Sequence, residues 1–200
     1  MHVRRLQLAI AVCFLSLTVL AVAQDSLGRF ELGANVTALH TRSVPGSIGP
    51  GIDSDINFGR HIALDGSFNW LPERPAQTLS GFFGAKIGAR TTHFGFFGKV
   101  RPGFYTFTNS PRSSVVNLDT FQATIRRARQ TQKGLDLGGV VEYYPAKHWT
   151  FRWDMGDTLM FEERNFTTTI ISGGVTSTTL FGRPATTNHF VFSSGVHYRF

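Results

Sequence analysis

Fourteen charged residues of this sequence fall at alternating positions, each beside an apolar neighbour, and that spacing suits ion pairing across a confined polar space. The bases are Arg29, Lys86, Arg90, Lys99, Arg101, Arg152 and Arg199; the acids are Glu31, Asp53, Asp55, Asp65, Asp136, Glu142 and Asp154. On a solvated surface such balance is incidental. In a narrow interior it is close to a requirement, because a buried charge without a partner costs several kcal/mol. A second group, Arg112, Arg126, Arg127, Arg129 and Lys133, shares its stretch with one acid, Asp119. Guanidinium forks fit phosphate oxygens, so this group is a candidate contact for lipopolysaccharide phosphates or another anionic surface polymer.

Little else suits catalysis. Ser193 and His197 share one face of a strand pattern, but four residues of extended chain separate them by roughly 13 Å. That is too far for the direct hydrogen bond of a Ser–His nucleophile, so both are expected to fill a polar interior. Gly81 and Gly84 flank Phe82 and Phe83, and Gly95 and Gly98 flank Phe96 and Phe97. A nucleotide loop needs a following helix; here the glycines relieve crowding among aromatics. Metal-ligand spacing and a nucleophile elbow are missing, so no enzyme activity, metal or cofactor is expected.

The elements that carry these residues are strands. Period-two alternation predicts eight of them: Arg29–His40, Gly51–Gly59, Ile62–Leu71, Leu79–Arg90, His93–Phe107, Gly134–Tyr144, Trp149–Phe161 and Phe190–Phe200. The last is the plainest, with Phe190, Phe192, Val196, Tyr198 and Phe200 opposite His197 and Arg199. Tight turns at 59–61, 91–92 and 145–148 alternate with longer links at 41–50, 72–78, 108–133 and 162–189. Short turns at one end and long connections at the other are the layout of an up-and-down barrel in an outer membrane. In the last link, β-prone runs flank Ser172, Gly173 and Gly174, which predicts a hairpin rising beyond the membrane with its tip at the glycine pair.

The balanced charges place the polar face inside and the apolar face toward lipid, with aromatics near strand ends as interfacial girdles. Asp157 falls on the lipid face if its strand keeps register. A bulge at Gly156 would turn it inward.

Composition agrees. Charged residues make up 16% of the 200, below the quarter usual for soluble domains, and Phe 19 and Gly 21 are high. A bundle of membrane helices is excluded, because the only apolar run long enough to span is N-terminal. Arg4 and Arg5, the run from Leu6 and the Ala21-Val22-Ala23 site predict a signal peptide over residues 1–23. Cys13 lies within that run. Its removal leaves a barrel domain, 24–200, without cysteine and with 18 bases against 13 acids, a net charge of +5. For an exported chain that surplus faces anionic lipid or polysaccharide rather than nucleic acid.

The chain resembles the outer-membrane β-barrels of the OmpA transmembrane and opacity-protein type over essentially all of 24–200. The resemblance rests on the C-terminal strand Phe190–Phe200 and on the run Leu137–Pro145 followed by Trp149–Asp157. It implies that Phe192, Val196, Tyr198 and Phe200 form the signal read by the barrel-assembly machinery. Full-length OmpA-type proteins often append a peptidoglycan-binding domain, whereas this sequence ends at its last strand. The resemblance therefore implies fold and location more than activity. The expectation is an all-β, eight-stranded antiparallel transmembrane barrel, exported through the Sec pathway to a bacterial outer membrane. It would be a monomer in lipid and lipopolysaccharide, serving envelope structure and surface interaction. A narrow porin-like channel and a lipid-A-modifying enzyme are the alternatives.

Overall fold

The computed structural model describes residues 29–41, 44–72 and 77–200. The predicted signal peptide, 1–23, lies outside them. Eight strands follow in order: β1 Phe30–Thr41, β2 Val44–Asn57, β3 Ile62–Leu71, β4 Thr78–Arg90, β5 Phe94–Asn117, β6 Gln122–Ala146, β7 Trp149–Ser172 and β8 Val175–Arg199. Each pairs antiparallel with the next, and β8 returns to β1 from Glu31↔Arg199 to His40↔Phe190, closing the barrel. Closure leaves no unpaired strand edge at the level of the ring.

The two faces of the wall are opposite in kind. Outward positions carry Leu32, Ile52, Phe68, Phe83, Phe96, Val100, Trp153 and Phe192, all exposed, while Asp55, Asp65, Lys86, Glu142 and Arg152 are buried inside. A soluble barrel has the reverse arrangement, so this wall is built for lipid. Near the short turns the outward aromatics form a girdle. Tyr198 meets Phe200 at 5.0 Å and Trp149 at 5.5 Å, Phe30 meets Phe200 at 5.7 Å, and Phe94 meets Tyr143 at 5.2 Å between ring centroids.

The strands outrun the sequence prediction at the other end. The expected link 41–50 is largely the start of β2, with Thr41 opposite Val44. The expected loop 108–133 is a hairpin, because β5 and β6 stay paired to Asn117↔Gln122. Polar residues on both faces hid it: above the lipid there is no apolar side to alternate with. Its turn is set by Asn117, whose Oδ1 accepts from the backbone N–H groups of Asp119 at 3.0 Å and Thr120 at 3.1 Å. The link 162–189 is likewise the paired tops of β7 and β8. Gly173 and Gly174 sit at its tip with φ of 55° and 75°, the pair of positive φ values that a two-residue type I′ turn demands.

Above the ring the strand order changes. Segment 113–117 of β5 pairs in parallel with 167–171 of β7, although β6 separates these strands lower down. The β5–β6 ribbon therefore turns over as it rises, at the register shifts between Phe107 and Ser110 and between Pro111 and Ser113. The result is a four-stranded sheet in the order β6-β5-β7-β8. Its two tips are tied: Gly173 N–H donates to Asp119 Oδ1 at 2.7 Å, and Leu118 N–H to the Ile171 carbonyl at 2.8 Å.

The proposed bulge at Gly156 is not formed. β7 keeps register, with Asp157 opposite Leu137 and Phe190, and Asp157 stays on the outer face. Gly156 faces Gly138 because β6 and β7 run close there; a Cβ on Gly138 would lie 2.2 Å from the Met155 carbonyl oxygen. Asp157 stands about 27 Å along the strand from Trp149. With strand tilt, that is the upper part of a belt about 25 Å tall, near the interface where an acid is tolerated.

Candidate functional site

Every strand sends at least one charged side chain into the lumen. Glu31, Asp53, Asp55, Asp65, Lys86, Lys99, Arg101, Asp136, Glu142, Arg152, Asp154 and Arg199 are all buried there, and Arg90 joins them. Arg152 reaches Asp55 at 3.0 Å, Asp65 at 2.5 Å and Asp154 at 3.1 Å. Arg101 bonds Asp65 at 3.2 Å and Asp136 at 2.5 Å, and lies 3.2 Å from Asp154. Lys99 joins Asp136 at 2.6 Å and also contacts Asp154. Lys86 pairs with Asp55 at 3.0 Å and with Glu142. Toward the short turns, Arg199 holds Glu31 at 3.1 Å, and Arg90 holds Glu142 at 3.2 Å and lies 3.5 Å from Glu31. Shared carboxylates make this one network, in which each charge offsets the desolvation of its neighbours.

Arg29 departs from the expected balance. It is exposed, so seven buried acids face six buried Lys and Arg side chains. The fully buried His197 stands beside this set, its Nε2 3.4 Å from Asp53 Oδ2. Glu31, Asp55 and His197 also bring donor atoms within 4.8 Å of one another. The two carboxylates are already engaged by arginine and lysine, so the cluster is compensated without a metal.

Above the charges lies a neutral polar layer, where the Thr37 hydroxyl lies 3.0 Å from Asn35 Oδ1 and 2.9 Å from Asn69 Oδ1, sharing its one proton between them. Above that, Leu39, Leu71, Phe82, Tyr105 and Met160 form a buried apolar cap. Sequence reading did not anticipate the cap, although all five share the parity of the polar face on their strands. The gap between cap and charges holds about 10 Å³, barely one water. Among the described residues the charged layer and the cap are closely packed at this level. Ser193 and His197 both face the lumen and are buried.

The basic group lies elsewhere. Arg112, Arg126, Arg127, Arg129 and Lys133 are exposed on the rising β5–β6 hairpin. They are not one patch: Arg127, Arg129 and Lys133 share a face of β6, Arg126 takes the opposite face, and Arg112 sits at the register shift of β5. Phe192, Val196, Tyr198 and Phe200 all point outward on the closing strand.

No family model matches the sequence, and no curated protein matches it. Solved structures do match. Neisserial surface protein A is 12% identical with a TM-score of 0.50, covering 86% of this chain and 96% of that one. The outer membrane protein OprG from Pseudomonas aeruginosa is 11% identical with a TM-score of 0.51, covering 88% and 97%. The chain has the fold of the small outer-membrane β-barrels. That fold accounts for the lipid-ready wall, the filled interior and the sorting of short turns from long hairpins. At such identity the likeness carries no substrate or partner across.

Proposed function

We propose that this protein resides in a bacterial outer membrane and acts there as a structural and surface-interaction protein, not an enzyme or an open pore. The short turns face the periplasm and the β6-β5-β7-β8 sheet stands outside the cell. The observation that carries this reading is the run of Lys133, Arg129 and Arg127 along one face of β6. It begins where the apolar belt ends, with Leu135 below and Phe104 and Phe161 opposite Lys133. Alternate residues of a strand lie about 6.8 Å apart, so the three cations climb through the depth of lipopolysaccharide phosphates. Export by the Sec pathway and a C-terminal assembly signal at Phe192, Val196, Tyr198 and Phe200 belong to the same reading.

The test uses the purified barrel in maltoside micelles titrated with lipopolysaccharide. Replacing Arg127, Arg129 and Lys133 together with Ala is expected to weaken binding at least tenfold. All three are exposed, so the barrel is undisturbed. Unchanged binding would overturn the assignment of this face.

A further inference from the structure

The short-turn end of the barrel holds an open cavity of about 540 Å³. Its lining collects basic side chains from four different segments: Arg60 from the β2–β3 turn, Arg90 and His93 from either side of the β4–β5 turn, Lys147 from the β6–β7 turn, and Arg199 from the end of β8. No acidic side chain is among the lining residues. The nearest acids in the network, Glu31 and Glu142, are wholly buried beneath the floor.

The floor is built. Arg90 is only 7% exposed; its Nε donates to Tyr144 Oη at 2.8 Å and its Nη2 to Glu142 at 3.2 Å. Its Nη1 has no acceptor among the described residues. Arg199, also buried, stacks over the Tyr144 ring at 4.5 Å, and Arg90 lies 5.8 Å from the same centroid. Tyr144 is itself fixed by its hydroxyl donating to Glu142 and its N–H donating to the His93 carbonyl at 2.8 Å. Two guanidiniums are thus held in place before any ligand arrives, which removes much of the ordering cost of binding. Arg60, His93 and Lys147 at the rim are exposed, free to close on an anion from several sides.

We propose that this mouth is a binding site for a phosphate group. Phosphate suits it better than a lone carboxylate, because its several oxygens can meet Arg60 and Lys147 from different sides, above a floor whose guanidiniums are already fixed. The site is independent of the basic hairpin at the opposite end and does not rest on that hairpin's function.

The probe is inorganic pyrophosphate, titrated calorimetrically into the purified mature barrel in maltoside micelles. The expected result is saturable one-site binding that weakens at least tenfold in the double variant Arg60→Gln/Lys147→Gln and remains in Arg126→Ala/Arg127→Ala/Arg129→Ala. Both rim changes are at exposed turn residues. Lys147→Glu alone provides a single-site check and is expected to weaken binding in the same direction. Absence of saturable binding to the wild-type barrel, or equal affinity in the rim variants, would overturn the proposal. Loss of binding in the hairpin variant would move the site to the other end and overturn it too. Repeating the titration with phosphatidic acid in the micelles distinguishes the sources. Competition assigns the site to a lipid headgroup, and undiminished binding to a soluble phosphate.

Discussion

Arg152 on β7 donates to Asp65 on β3 at 2.5 Å. These strands are four apart in a ring of eight, so the bond spans the lumen. It fastens opposite walls of the barrel at a point where neither side chain meets solvent.

Removing Arg152 leaves Asp55, Asp65 and Asp154 short of a cation. Arg152→Ala is expected to cost about 3–5 kcal/mol, the range for breaking a buried pair from one side. Arg152→Met combined with Asp65→Leu should cost less than the sum of the single changes, since the shared charge pair is absent from both terms. Urea unfolding in micelles measures both. Additive losses would mean that the pair contributes nothing of its own.

The close approach of β6 and β7 makes a steric prediction. Gly138→Ala would place a Cβ 2.5 Å from the Gly156 Cα, and backbone has to move. A loss of about 1–3 kcal/mol is expected. Gly139→Ala is the control, because its Cβ meets nothing closer than 3.6 Å. Equal unfolding midpoints for the two variants would contradict the packing described for this seam.

The tie between the two upper hairpins rests on a carboxylate, Asp119. Asp119→Ala should release the parallel pairing of β5 with β7, raising amide exchange at Leu118 and at 113–117 about tenfold, as expected for one charge-assisted hydrogen bond. Exchange within the ring should not change. Protection that survives in the upper sheet would show that the backbone pairing holds without the tie.

The packed lumen predicts electrical silence. Single-channel recording in planar bilayers should show no steady openings from the wild-type barrel, because the apolar cap and the ion pairs leave a gap of about 10 Å³. Regular unitary conductance would require a lumen that opens.

The barrel was legible in the sequence wherever lipid lay on one side and charge on the other. Alternation such as Phe190, Phe192, Val196 and Tyr198 against His197 and Arg199 is enforced by two different solvents, and it located each wall strand. The charge network followed from the same parity. The upper sheet was not legible for the same reason: above the membrane both faces meet water, and residues 122–132 carry polar groups on each. Nor does any local pattern report that the β5–β6 ribbon turns over to reach β7, which depends on pairing between distant segments. The cap was within reach, since Leu39, Leu71, Phe82 and Met160 stand on the polar side of their strands. Asp157 misled in the opposite direction, since its position in the upper belt matters more than its parity.

The central claim is that the apolar wall faces lipid. The protein's three tryptophans, Trp70, Trp149 and Trp153, all lie on that wall, exposed by 46%, 49% and 37%. Fluorescence of the barrel reconstituted in vesicles of brominated lipid measures their surroundings directly. The account predicts strong quenching by bromine on the acyl chains and little by aqueous iodide. Emission quenched by iodide and untouched by brominated chains would contradict it.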